Sequence, residues 1–213
     1  ALMGSAKPHP TLSVFDQGAG RLDVAHAVTQ TVQAAPASLN AGVAQWPHAD
    51  DVPITRTLTY NNSGSATVNA TVTAEIRDPA GNPAPAGMFT FSSSAVTIPA
   101  GGQAELTVSI DTRLNGPDGI YSGNVIAGDV RTPVAVNREI ESYNVTMKFV
   151  GTDGKPTPDY TYLFTDVDRR KPAGKYDASG TAVARLAKGR HYLQAILRTP
   201  AESVIASEPE YTV

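Results

Sequence analysis

The sequence predicts an all-β chain: two consecutive β-sandwiches preceded by a short N-terminal helix. Three observations lead there. Short runs of alternating apolar and polar residues recur from about residue 37 to the C-terminus, each ending in a cluster of Gly, Pro, Asn or Asp. Helical spacing of apolar residues is found in one place only, just after Asp23. At 213 residues the chain is long for one small domain and comfortable for two.

The helix comes first. Asp23 is a fitting N-cap, because its carboxylate can accept from the unpaired N–H groups of a first turn. Behind it Val24, Ala27 and Val28 recur at helical spacing, and Ala25 adds a strong helix former. So short a helix is marginal alone and needs something to pack on.

The first sandwich is expected over residues 37–139. Thr55 to Tyr60 is rich in β-branched and aromatic residues and ends at Asn61-Asn62-Ser63-Gly64, a turn signal. Val68 to Ile76 alternates, with Val68, Ala70, Val72, Ala74 and Ile76 on one face. Runs 88–91, 96–98 and 105–110 follow, the last with Leu106, Val108 and Ile110 inward. Ile120 to Ile126 and Val130 to Val136 close a set of about seven strands, which is sandwich spacing.

A second, smaller set covers 140–213. Tyr143, Val145, Met147 and Phe149 alternate on the first run, and Asp153-Gly154 reads as a hairpin-type turn. Runs 160–164, 181–186, 191–197 and 210–213 complete it, with turns at 176–180 and at Lys188-Gly189.

Composition narrows the function. Hydrophobic residues make up 41% and charged residues 17%, which is ordinary for a folded domain. A net charge of −3 argues against nucleic acid, and the basic run Asp168-Arg169-Arg170-Lys171 reads as a solvated turn. There is no cysteine, hence no disulfide, thiolate chemistry or cysteine-bound zinc. No run approaches the roughly 18 apolar residues of a membrane span. Residues 1–5, without a basic-then-apolar pattern and without an initial Met, read as the interior of a longer precursor rather than as a signal peptide.

Two blocks resemble a known family. Ala1-Leu2-Met3-Gly4-Ser5-Ala6, followed by Phe15-Asp16-Gln17-Gly18-Ala19-Gly20-Arg21-Leu22-Asp23-Val24, is similar to the end of the peptidase domain of subtilisin-like serine peptidases. Val96 to Gly102, Leu106 to Asp111, Asp118 to Gly123 and Pro133 to Glu139 resemble the fibronectin type III-like, immunoglobulin-like sandwich that follows that domain in large subtilases. Residues 140–213 look like a transthyretin- or carboxypeptidase-regulatory-type sandwich. The resemblance implies that residues 1–32 are the terminal helical segment of a peptidase domain and that the chain is the accessory tail of a secreted or cell-surface bacterial endopeptidase. Such a tail would brace the catalytic domain or position substrate. Its partners would be the missing peptidase domain, a protein substrate or a cell-surface component. The family's Asp, His and Ser motifs do not occur here, so the chain alone is expected to be inactive. The alternative is a free-standing extracellular adhesion module for carbohydrate or protein.

No catalytic, cofactor-binding or metal-binding residue is assigned, after weighing these candidates. A triad would need one of His9, His26, His48 or His191 beside a nucleophile, and no Gly-x-Ser-x-Gly elbow occurs. His48-Ala49-Asp50-Asp51 is the nearest approach to a hard-metal cluster, and Asp16, Asp111 and Asp118 could each ligate calcium; solvated loops are the expected outcome for all of them. Trp46 is expected as a core or interface anchor, and Tyr160 with Tyr162 as packing, rather than as sugar platforms. Asn61, Asn69 and Asn144 begin glycosylation patterns and are expected unmodified.

Overall fold

The computed structural model describes residues 1–151, 153–170, 172–173 and 179–198, and the backbone of 203–212. It is nearly all β and divides into two compact units, Ala1–Glu139 and Ile140–Val213.

In the first unit nine strands form two sheets. They are β1 (Val32–Ala35), β2 (Leu39–Ala44), β3 (Ile54–Asn62), β4 (Val68–Arg77), β5 (Phe89–Phe91), β6 (Ala95–Ile98), β7 (Gln103–Ile110), β8 (Gly119–Ala127) and β9 (Val130–Arg138). One sheet runs β1-β3-β7-β5, the other β2-β9-β8-β4-β6. All pairs are antiparallel except β2 with β9.

Two stretches of chain cross from one sheet to the other. Residues 32–44 leave the first sheet at Pro36, which has no N–H with which to continue a ladder, and rejoin the second as β2. On the other side the chain crosses between β5 and β6. There Ser92 N donates to Thr107 O at 3.0 Å and Val72 N to Ser94 O at 2.8 Å. These crossings keep every edge strand short, the usual protection against edge-to-edge pairing. Pro133 lies inside β9, yet β2 begins to pair only at Leu39 with Val134, so no ladder bond is lost.

The core follows the period-2 pattern. Leu58, Tyr60, Leu106, Val108 and Ile110 on one sheet face Ile98, Tyr121, Val125, Val134 and Val136 on the other, all buried. Ala74 departs from the predicted inward row and is exposed, while Ala70, Val72 and Ile76 keep to it.

Residues before β1 carry two short helices, α1 (Val14–Gln17) and α2 (Val24–Thr29). Asp23 caps α2 as expected, accepting from His26 N at 3.0 Å. Of the predicted apolar stripe only Ala27 is buried; Val24 is 56% and Val28 77% exposed. Thr31 O accepts from Ser63 N at 2.9 Å and Gly4 O from Arg131 N at 3.0 Å, which ties this segment to the sandwich.

The second unit pairs β10 (Ser142–Lys148) with β13 (Thr181–Ala187), and orders β12 (Pro172–Ala173), β11 (Tyr160–Asp166), β14 (Arg190–Arg198) and β15 (Ser203–Thr212) in a separate sheet. Its core is Phe149, Tyr160, Tyr162, Phe164, Ala182, Ala184, Leu186 and Ala195. The turn at Asp153-Gly154 forms, with Gly154 at φ +77° and Gly151 N donating to Lys155 O at 2.9 Å. It closes only a local loop, since β10 pairs with β13 and not with β11. Of the predicted turn at 176–180, residues 176–178 lie outside the described residues, as does Lys171 of the basic run.

Candidate functional site

The sequence candidates fall in different places. His48 is the most embedded in polar contacts. It is 6% exposed, its Nδ1 lies 2.9 Å from Asp51 Oδ2 and its Nε2 2.8 Å from Glu139 O. Asp51 Oδ2 also accepts from Thr112 Oγ1 at 2.6 Å. Arg138 donates to Thr112 O at 2.9 Å and Gly116 O at 3.0 Å, and pairs with Asp118. The cluster ties the loop after β2, the turn after β7 and the end of β9 together.

This arrangement has Asp, His and a hydroxyl but not the chemistry of a triad. A catalytic imidazole uses the nitrogen opposite its carboxylate to take a proton from the nucleophile. Here that nitrogen is occupied by a backbone carbonyl, and the Thr112 hydroxyl donates to the carboxylate instead. The cluster satisfies buried polar groups and clamps loops.

The other histidines are apart from it. His9 lies in an exposed loop beside Thr11, His26 is on α2, and His191 is buried in the second unit with Nε2 2.7 Å from Ala187 O. Asp16 completes the capping box of α1 with Ser13, and Asp111 takes a two-point contact from Arg113 at 2.8 and 2.6 Å. That guanidinium pulls the Asp111 carboxyl below its ordinary value. Among the described residues no three His, Asp or Glu side chains converge as metal ligands would. Burial pushes the Tyr60 phenol up to about 12, too high for acid–base work near neutrality.

The aromatic candidates do not form a sugar platform. Tyr160 and Tyr162 are 1% and 5% exposed, and Tyr160 stacks on Phe149 with ring centroids 3.9 Å apart. Trp46 is half-buried, its N donating to Glu139 Oε2 at 2.9 Å. Asn61, Asn69 and Asn144 are exposed on strands, and Asn69 Oδ1 accepts from Thr97 Oγ1 at 2.8 Å.

The N-terminal surface carries more exposed apolar side chains than the one helix stripe read in the sequence. Seven of the sixteen exposed large hydrophobics among the described residues fall within residues 1–28, among them Leu12, Phe15, Leu22, Val24 and Val28. Exposed apolar side chains scattered singly along a chain are normal; here they gather on one stretch of 28 residues. The segment is also firmly shaped. Lys7 and Arg21 exchange two backbone hydrogen bonds of 2.9 Å, and Gln17 Nε2 donates to His9 O and Leu12 O. Lys7 Nζ lies 2.8 Å from Asp23 Oδ2; this contact, with the His26 N–H, holds the Asp23 carboxyl below its ordinary value. Beside it is a cleft of about 170 Å³, lined by Ala1–Gly4 on one side and by Gln30, Gln33, Ala34, Ala37 and Arg131 on the other.

No protein-family model matches the chain, and no curated protein matches it. Among solved structures, a PapD-like domain of human CEP192 shares 14% identity over 52% of this chain and 87% of that one, with a TM-score of 0.39. The CupB2 chaperone of Pseudomonas aeruginosa shares 11% over 83% and 100%, with a TM-score of 0.35. A chaperone–tip adhesin subunit complex of Acinetobacter baumannii gives 10% over 84% and 98%, with a TM-score of 0.38. At these scores the likeness is one of sandwich architecture.

These findings overturn the expected peptidase tail. The neighbours are chiefly PapD-like pilus chaperones and not subtilase C-terminal regions. The roles of accessory region, protease and partner to a missing peptidase domain fall together. The family-like glycine block has a local reason instead. At Gly20, φ is +112° and a Cβ would lie 2.5 Å from Lys7 O, so only glycine lets the loop close. The alternative of an adhesion module gains no specific support, since Tyr160 and Tyr162, where a sugar would have stacked, are core. No helix among the described residues is long and apolar enough to cross a membrane.

Proposed function

We propose that the chain is a non-catalytic module that binds another polypeptide through the apolar surface of residues 2–28. The observation that carries this is the exposure of Phe15 (64%) and Val28 (77%) on a segment whose backbone is fixed by caps, bridges and a glycine contact. Apolar area of this kind is costly in water and is regained on association at about 25 cal/mol per Å². A surface shaped beforehand loses little entropy when it docks. Residues 32–139 form the sandwich that holds the face, and 140–213 serve as a second, transthyretin-like sandwich. A place at or beyond the surface of a bacterial cell suits such a module.

Photo-crosslinking in the cells that make the protein tests this. A photoreactive residue is placed at Phe15 or Val28, with Val43 and Val183, more than half exposed elsewhere, as control positions. An adduct of one fixed mass at the first two positions and not at the controls is the expected result. Equal labelling at all four positions, or none at any, overturns the proposal.

A further inference from the structure

We infer that the chain forms a two-fold dimer through β10, whose free edge pairs antiparallel with β10 of a second copy. Sheet topology leaves that edge open: among the described residues β10 pairs with β13 alone, while the other sheet of the unit has four strands. The register gives the direction of the unpaired groups. Ser142 stands opposite Ala187, Lys188 N donates to Glu141 O at 2.7 Å, and Phe149 N donates to Gly180 O at 2.9 Å. Odd-numbered residues of β10 therefore bond to β13, and the N–H and C=O groups of Asn144, Thr146 and Lys148 point the other way. All three residues are exposed. Other edges carry protections that β10 lacks. β1, β5, β6 and β12 have four residues or fewer, and β2 has a break in register between Asn40 and Val43. β15 has Pro209 between two glutamates, and β13 has Arg185 near its middle. β10 has seven residues, no proline, an unbroken register and one charge, Lys148, at its last position.

A second copy fits this edge because the strand is complementary to itself. With the axis at Val145, Asn144 of each copy stands opposite Thr146 of the other and exchanges both backbone bonds with it. Lys148 falls opposite Ser142, so no like charges meet. On the core side Val145 meets Val145, and Tyr143 meets Met147. These residues form the half-open margin of the core. Tyr143 is 39% exposed, and Val145 and Met147 are only partly buried, whereas Leu186, Ala184 and Ala182 opposite them on β13 are buried. The incoming strand covers that margin. Both copies use the same edge, so the contact stops at two. It is smaller than a standard interface, which sets a Kd on the order of 100 μM. It uses no residue of the 2–28 face.

Sedimentation equilibrium of the full chain from about 10 μM to about 1 mM should show the mean mass rising from monomer toward dimer. Thr146→Pro removes an N–H directed at the free edge, a position where a strand tolerates proline. It should keep the circular dichroism spectrum and weaken dimerisation about tenfold or more. Asn144→Lys with Thr146→Lys sets like charges opposite one another across the axis, and so does Asn144→Glu with Thr146→Glu. Each double variant should be monomeric alone, and an equal mixture of the two should dimerise. That rescue requires both variants to be folded and the strands to be antiparallel in this register. A chain that is monomeric at about 1 mM, a dimer indifferent to Thr146→Pro, or a mixture that stays monomeric overturns the inference. So does a dimer abolished by Phe15→Ser with Val28→Ser, which would place the contact on the other face. A photoreactive residue at Thr146 that links in cells to a different polypeptide, and not to the chain itself, overturns the second copy as occupant.

Discussion

Gly123, in the middle of β8, gives the most exacting test of the first unit. A Cβ built there would lie 1.9 Å from Glu75 O, 2.7 Å from Ile76 Cα and 2.8 Å from Glu75 C, all backbone atoms of β4. Real Cβ atoms do not come so close, so Gly123→Ala must push β4 and β8 apart by about 1 Å or more, a shift too large for a packed interior to absorb. β4 sits between β8 and β6, with Ile76 opposite Gly123, so the displacement strikes a paired strand and a buried side chain together. Losing one or two ladder bonds at about 1 kcal/mol each and part of the burial of Ile76, worth about 1.5–3 kcal/mol, gives roughly 3–4 kcal/mol. That is a large share of the 5–15 kcal/mol of a typical domain. Urea unfolding followed by far-UV circular dichroism reads it, with Ser122→Ala as the control, expected within about 0.5 kcal/mol of wild type. If Gly123→Ala unfolds within about 1 kcal/mol of wild type, the close approach of β4 and β8 described here is wrong.

Three further outcomes follow from particular contacts. His48→Ala leaves Asp51 and the Glu139 carbonyl without their imidazole, and should cost about 2–4 kcal/mol in the same urea assay; a loss under 0.5 kcal/mol would show that the clamp carries no load. Asp166 is 6% exposed, and burial alone would raise its carboxyl; the Arg169 N–H and guanidinium outweigh that and hold it below its ordinary value. Its contribution is therefore fully present above the unfolded carboxyl value of about 3.9 and fades as pH falls through the lower folded value. The urea midpoint of the second unit should drop below about pH 4, and Asp166→Asn should flatten that limb; an unchanged limb in the variant removes Asp166 as its cause. Phe15→Ser with Val28→Ser should leave the melting temperature within about 2 °C of wild type, because neither side chain is buried, and should abolish the cross-linked adduct.

How much of this was legible in the sequence depended on whether the signal was local. β7 was read correctly because Leu106, Val108 and Ile110 declare their face by period 2 alone, and all three are fully buried. Asp23 was read correctly because an N-cap is a contact within four residues. β1 and β2 were missed because Pro36-Ala37-Ser38 reads as loop, while the strands exist through partners far along the chain, Asn62 for β1 and Val134 for β2. Tyr160 and Tyr162 were expected on one face as core or rim packing, and the choice between core and rim depends on Phe149 arriving against them.

The N-terminal segment shows the opposite failure, in which a local pattern was read correctly and given the wrong meaning. Val24, Ala27 and Val28 do lie on a helix, and its apolar side was expected to lack a partner within the chain because the partner was taken to be a missing peptidase domain. Yet α2 has six residues, a turn and a half, and the sandwich reaches only Ala27. A free helix of that length does not hold its shape on propensity alone. Besides the burial of Ala27, what holds this one is a set of polar contacts: the Asp23 cap, the Lys7 ion pair and the Lys7–Arg21 bridge. Because polar contacts fix the backbone, the apolar side chains are left over. In a segment stabilised by its own core they would have been consumed by folding. Here they remain available, and that surplus is the physical basis for reading residues 2–28 as a surface made to be covered.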